Sequence, residues 1–174
     1  MVAFLYRMGA GFAGDVNRTH PVSIEADLIH ELSPPTAYGQ AVLVDPTSQG
    51  VRPFVAGDVA IDKAYGMTVR AFPIQQTSAP TGNFAPAALG AAIPPLSGVI
   101  DVLRSGYIMG KVPAGQTCVK NGAVYIWVGA ASGSHVLGGF ETVDAGVDTT
   151  PALTNAVFNG IPDADGNVEI QFNV

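Results

Sequence analysis

The sequence predicts an all-β protein, a β-sandwich or barrel of jelly-roll-like kind, with an extended N-terminal arm and a long Ala/Pro-rich loop. Three observations carry that expectation. Short runs alternate apolar and polar residues at the strand period of two. Clusters of Gly, Pro, Asn and Asp punctuate them at short intervals. No long helical period intervenes, and many short strands in such an arrangement favour a sandwich or barrel. The 174 residues suit one domain with its own core. The expected organisation is an arm over residues 1–21 and a single β-rich domain over 22–174, with 76–95 as an extended loop or second arm.

Taken in order, the first stretch is polar and glycine-rich from Met8 to Pro21. Val22 to Leu28 then alternates cleanly, and Tyr38–Val44, Tyr65–Phe72, Tyr107–Val112, Ala123–Val128 and Val168–Val174 read as further strands. Breakers separate them at Ser33-Pro-Pro, at residues 45–50, at Ala56-Gly-Asp58, at Pro113-Ala-Gly115 and at Asp163-Ala-Asp-Gly166. Asn121-Gly122 signals a tight hairpin, because that pair suits the turn whose twist matches paired strands. Residues 76–95 are too interrupted by proline for a helix and read as an arm. Residues 151–158 suggest one or two helical turns behind a cap at Thr149 or Thr150.

Composition narrows the function classes. Charged residues are 13% of the chain, about half the usual share, and mean hydropathy is +0.31. Yet no run reaches the roughly 18 apolar residues of a membrane helix. A thinly charged exterior fits a surface covered by other protein. The formal charge of −6 arises entirely after Lys120, where six acidic residues meet no Lys or Arg. Nucleic-acid binding is disfavoured, because it depends on clustered basic residues. The acidic third is expected to be a solvated face. Cys118 is the sole cysteine, so an internal disulfide is excluded. The opening Met-Val-Ala-Phe-Leu-Tyr-Arg lacks the order of a secretory signal, and synthesis in a reducing cytoplasm is expected.

No catalytic or cofactor pattern survives scrutiny. Gly9-Ala-Gly-Phe-Ala-Gly14 has the letters of a dinucleotide loop, but the following residues are poor helix material and end in proline. Residues 163–169 hold several oxygen-bearing side chains without calcium-loop spacing, and an Asp-Gly turn explains them. His20, His30 and His135 are scattered, and Cys118 reads as a half-buried apolar residue. Asp58 and Asp62 could pair for acid–base chemistry, but Ala56-Gly-Asp58 reads better as a turn between strands. Tyr125 and Trp127 share one strand face, opposite Val124, Ile126 and Val128, so one of the two faces fills the core. Neither an enzyme nor a cofactor is expected.

Two blocks resemble tailed-phage structural cement, or capsid decoration, proteins. One is Met8 to Pro21 with the following Ser-Ile-Glu. The other pairs Gly57-Asp58 with Tyr65, Gly66, Val69, Arg70, Phe72 and Pro73. They cover about the first half of the chain. The resemblance implies a β-rich protein on the outer surface of a virion's capsid, as a dimer or trimer, clamping major capsid subunits. Such a clamp needs buried apolar area, reaching arms and backbone able to extend a neighbour's sheet. Residues 2–21 and 76–95 are then expected to order on binding. Arg7, Arg18, Arg52, Arg70, Phe84 and Leu89 are the expected partner contacts, each arginine having an ordinary structural role as its alternative. The rival readings are a phage tail, fibre or head-completion component, and a carbohydrate-binding sandwich using Trp127 and Tyr125.

Overall fold

The computed structural model describes residues 11–70 and 94–174. Arg7, Phe84, Leu89 and nearly all of the 76–95 loop lie outside the described residues. The described residues form ten strands: β1 (Ser23–Leu28), β2 (Ala41–Val44), β3 (Val51–Pro53), β4 (Gly66–Thr68), β5 (Val99–Lys111), β6 (Gly122–Ala123), β7 (Tyr125–Ile126), β8 (Phe140–Glu141), β9 (Ala156–Phe158) and β10 (Asn167–Phe172). Eight of them make one sheet in the order β3-β2-β4-β5-β10-β9-β6, with β1 added on β5; β7 and β8 form a separate ribbon. The all-β class is as expected, and the large sheet curls into a half-barrel.

β5 is the spine. Its first half pairs antiparallel with β1, from Ser23 opposite Ser105 to Leu28 opposite Val99. Its second half pairs with β10, from Asn167 opposite Lys111 to Phe172 opposite Gly106. β1 and β10 thus pair with successive stretches of β5, and just past β10 Asn173 Nδ2 donates to the Arg104 carbonyl of β5 at 2.8 Å. β5 bends at this junction, where Gly106 has φ 143°, a conformation that side chains disfavour. An added Cβ there would lie 3.0 Å from the Pro21 carbonyl oxygen.

Alternation builds the core. In β10, Val168, Ile170 and Phe172 point inward, while Asn167, Glu169 and Gln171 point out. They join Phe54, Met67, Leu103, Ile108, Ile126, Phe140 and Phe158 in the main cluster. A second cluster, of Ile29, Val42, Val51, Ile100 and Val102, fills the opposite face of the sheet. Each fully buried large side chain contributes about 1.5–3 kcal/mol relative to exposure.

Several expectations need correction. Asn121-Gly122 does not close a two-residue hairpin. Gly122 N–H donates back to Val119 O, Asn121 takes φ 62°, and the chain then pairs with distant β9. Residues 151–158 form a turn and strand β9 instead of helical turns, because Ala156 and Phe158 fill the core from a strand between β10 and β6. β5 begins eight residues earlier than its alternation suggested. Residues 14–17 do not await a partner to become ordered. Gly14 N–H donates to Met109 O at 2.8 Å, Met109 N–H to Asp15 O, and Asn17 N–H to Tyr107 O.

Candidate partner-binding surface

The arginines show how the chain holds its surface segments. Arg18 pairs with Glu169 at 2.7 Å and lies 3.9 Å over the Tyr107 ring, which pins residues 17–18 to β10 and β5. Arg70, with 8% of its side chain exposed, faces Asp15 at 3.8 Å and covers the Phe12 ring at 4.6 Å. Arg52 makes two hydrogen bonds to Asp58, at 2.6 and 3.0 Å, and Asp58 also accepts the Val55 N–H at 2.8 Å. Burial pushes the Asp58 carboxyl up, but the Arg52 hydrogen bond, the Val55 amide and the Arg52 charge together hold it below the usual range. Glu169 is likewise held low: burial opposes ionisation, and Arg18, Asn159 and Asn17 outweigh it. Of the three described arginines named from sequence, Arg18 keeps 46% of its side chain exposed and is the most open.

A fourth arginine was not singled out from sequence. Arg104 lies 3.4 Å over the Tyr65 ring, donates to the Tyr65 carbonyl, and reaches Glu25 at 3.4 Å. Tyr65 Oη donates to Asp27 Oδ1 at 3.4 Å. The partners of Tyr65 lie 38–40 residues from it in sequence, so no local spacing announces them. Asp27 Oδ2 is buried without a hydrogen-bond partner among the described residues. Burial, then the neighbouring Glu25 charge, raises the Asp27 carboxyl above its ordinary value.

The acidic C-terminal third is not simply a solvated face. Glu141 is 2% exposed and meets His135 Nδ1 at 2.7 Å, while its other oxygen accepts from Gln116 Nε2. His135 in turn stacks on Trp127 with ring centroids 4.4 Å apart. The Trp127 indole N–H donates to Ala130 O at 3.0 Å. With 8% exposure, Trp127 offers no open platform for a sugar ring. Val124, Ile126 and Val128 fill the core from the opposite face, as the alternation allowed. Next to this network lies a groove of about 510 Å³, walled by Tyr38, Gln40, Lys111, Val136 and Phe140.

The remaining motifs are structural. Gly11 and Gly14 adopt positive φ, and Asp15 Oδ2 accepts the Phe12 N–H at 3.0 Å, so residues 12–15 make a turn. Asp163 Oδ1 accepts the Asp165 and Asn167 N–H groups, closing a turn before β10. Cys118 is half-buried, donates to Gly160 O at 3.2 Å, and has its thiol pushed up to about 11 by burial. Among the described residues, no group of three His, Cys, Asp or Glu side chains is placed to hold a metal. No helix there is long and apolar enough to cross a membrane.

Large apolar side chains stand open where β1 meets the start of β5: Leu96 at 70% exposure, Leu28 at 61%, Val99 at 56% and Ile24 at 44%. β1 is open on nearly every residue. Among the described residues, no strand pairs with its edge away from β5. Together these features give a curled all-β sheet with an open apolar edge and with arginines bracing its surface segments. Comparison with known proteins gives the class a family: the model for the XM1 gp53 minor capsid protein matches residues 1–172. The chain belongs to that family, and is thus a structural protein of the phage capsid. A chain in a solved structure described as "The capsid of Myoviridae Phage XM1" is similar in fold, with a TM-score of 0.64 at 18% identity over 98% of this chain and 95% of that one. No curated protein matches significantly.

Proposed function

We propose that the protein decorates the outside of the phage capsid and strengthens contacts between major capsid subunits, acting as a dimer or trimer and without catalysis. The observation that carries this reading is the open apolar row of Ile24, Leu28, Leu96 and Val99 on a chain with only 13% charged residues. Apolar area of this kind contributes about 25 cal/mol per Å² when a neighbour covers it. Part of that gain is offset by ordering the contact, so a single copy binds modestly. An oligomer engaging several subunits together gains effective affinity through linkage of its sites.

The contacts are expected to include Arg7, Phe84 and Leu89 with the segments around them, and Arg18, whose exposed half is available after its pairing with Glu169. Arg52 and Arg70 act at one remove, bracing the surfaces that touch the partner. The test uses expanded empty shells assembled from the major capsid protein of the same phage. Sedimentation of the protein with shells, and a higher disruption temperature for decorated shells, is the expected result. Shells that neither bind the protein nor change in stability would remove this reading.

A further inference from the structure

We propose that the free edge of β1 is the docking site, and that it receives an extended segment of a shell subunit in which basic and apolar residues alternate. The inference rests on the capsid-binding reading above and names the surface and the partner's chemistry. β1 runs six residues, Ser23–Leu28, and among the described residues pairs with β5 alone; the chain meets β3 only past its end, where His30 N–H donates to Val51 O at 3.0 Å, so the outer edge over Ser23–Leu28 carries no strand. An unpaired edge of this length is a template for one more strand, since its outward N–H and C=O groups still need partners.

The side chains select the occupant. Alternation places Ile24, Ala26 and Leu28 in one row, continued across the pairing by Val99 opposite Leu28. The other row carries Glu25 and Asp27, and among the described residues Arg104 alone is in ion-pairing range of Glu25. A second copy of β1 is a poor occupant. Antiparallel registers that align the two apolar rows over five residues set Glu25 against either Asp27 or the other copy's Glu25, and opposed like charges destabilise a strand pair. A strand with Lys or Arg in one row and aliphatic residues in the other satisfies both rows at once.

The test combines hydrogen exchange with shell binding, using the full chain and expanded empty shells of the same phage. Peptides covering residues 22–30 are expected to gain protection on the shell. The double variant Ile24→Glu/Leu28→Glu, placed at side chains already open to solvent, is expected to bind at least tenfold more weakly while its unfolding midpoint stays near that of the parent chain. The isosteric pair Glu25→Gln/Asp27→Asn is expected to weaken binding and reduce its salt dependence. Tight binding by the parent chain with no change in exchange over 22–30, and equal binding by the Glu variant, would overturn the β1 site and leave capsid decoration standing. Absence of binding by the parent chain itself would overturn both.

Discussion

Two carboxylates on this chain respond to folding in opposite directions. Asp58 is held below its ordinary value by Arg52 and the Val55 amide. A depressed carboxylate stabilises the fold above its unfolded value and loses that contribution as pH falls through the folded one. The loss therefore sets in below about pH 4. Replacing Arg52 by Met leaves Asp58 buried and unpaired, and is expected to cost about 2 kcal/mol at pH 7, with little penalty near pH 2. Denaturant midpoints at the two pH values check this. Asp27 behaves the other way, because burial and Glu25 raise it. Its ionisation opposes folding at neutral pH, and the opposition fades as pH falls through the raised value. Asp27→Asn is expected to raise the denaturation midpoint at pH 7 and to make no difference at pH 2–3. Cys118, with its thiol at about 11, should react with maleimide at pH 7.5 far more slowly than the same cysteine in the unfolded chain.

At the scale of elements, β5 decides the architecture. It passes both hydrophobic clusters, carrying Leu103 and Ile108 into one and Ile100 and Val102 into the other. Where it crosses the core under the β7–β8 ribbon, no side chain fits. A Cβ on Gly110 would stand 2.5 Å from Ile170 Cδ1 and 2.9 Å from Phe140 Cε2. Gly110→Val is expected to destabilise by about 1–3 kcal/mol through overpacking. A companion change, Val119→Thr, lies at an exposed position and is expected to leave thermal unfolding within experimental scatter. The N-terminal segment is an added element on β5: residues 14–17 complete its second half, and Arg18 and Arg70 hold it down through Glu169, Tyr107, Asp15 and Phe12.

For the whole molecule, the half-barrel leaves one flank of the sheet open at β1, and the family places the chain in the phage capsid. If decoration is its role, the energetic logic is repetition. Each copy covers a modest apolar area, and the shell multiplies it. Analytical ultracentrifugation of the purified chain is expected to show a dimer or trimer, and a monomer at micromolar concentration would set the oligomer part of the proposal aside.

The alternation at residues 22–28 and 168–172, the turn at residues 163–166 and the scarcity of charge were legible along the chain, because each depends on neighbours within a few positions. The resemblance of the Met8–Pro21 and Tyr65–Pro73 blocks gave the capsid class. Local reading failed where distant groups compete. Asn121-Gly122 gave up its hairpin because β9 supplied a better partner for the residues after it. Residues 151–158 took a strand because a core position beside β10 was vacant for Phe158. Glu141 read as solvated acid until His135 and Gln116 closed over it. Sequence by itself determined that this chain makes strands and turns with little charge, since period and composition are properties of the chain alone. Only the tertiary structure decided which edge stays open and which acids are paired, since both depend on which segments the fold brings together, as when Arg18 meets Glu169 from the other end of the chain.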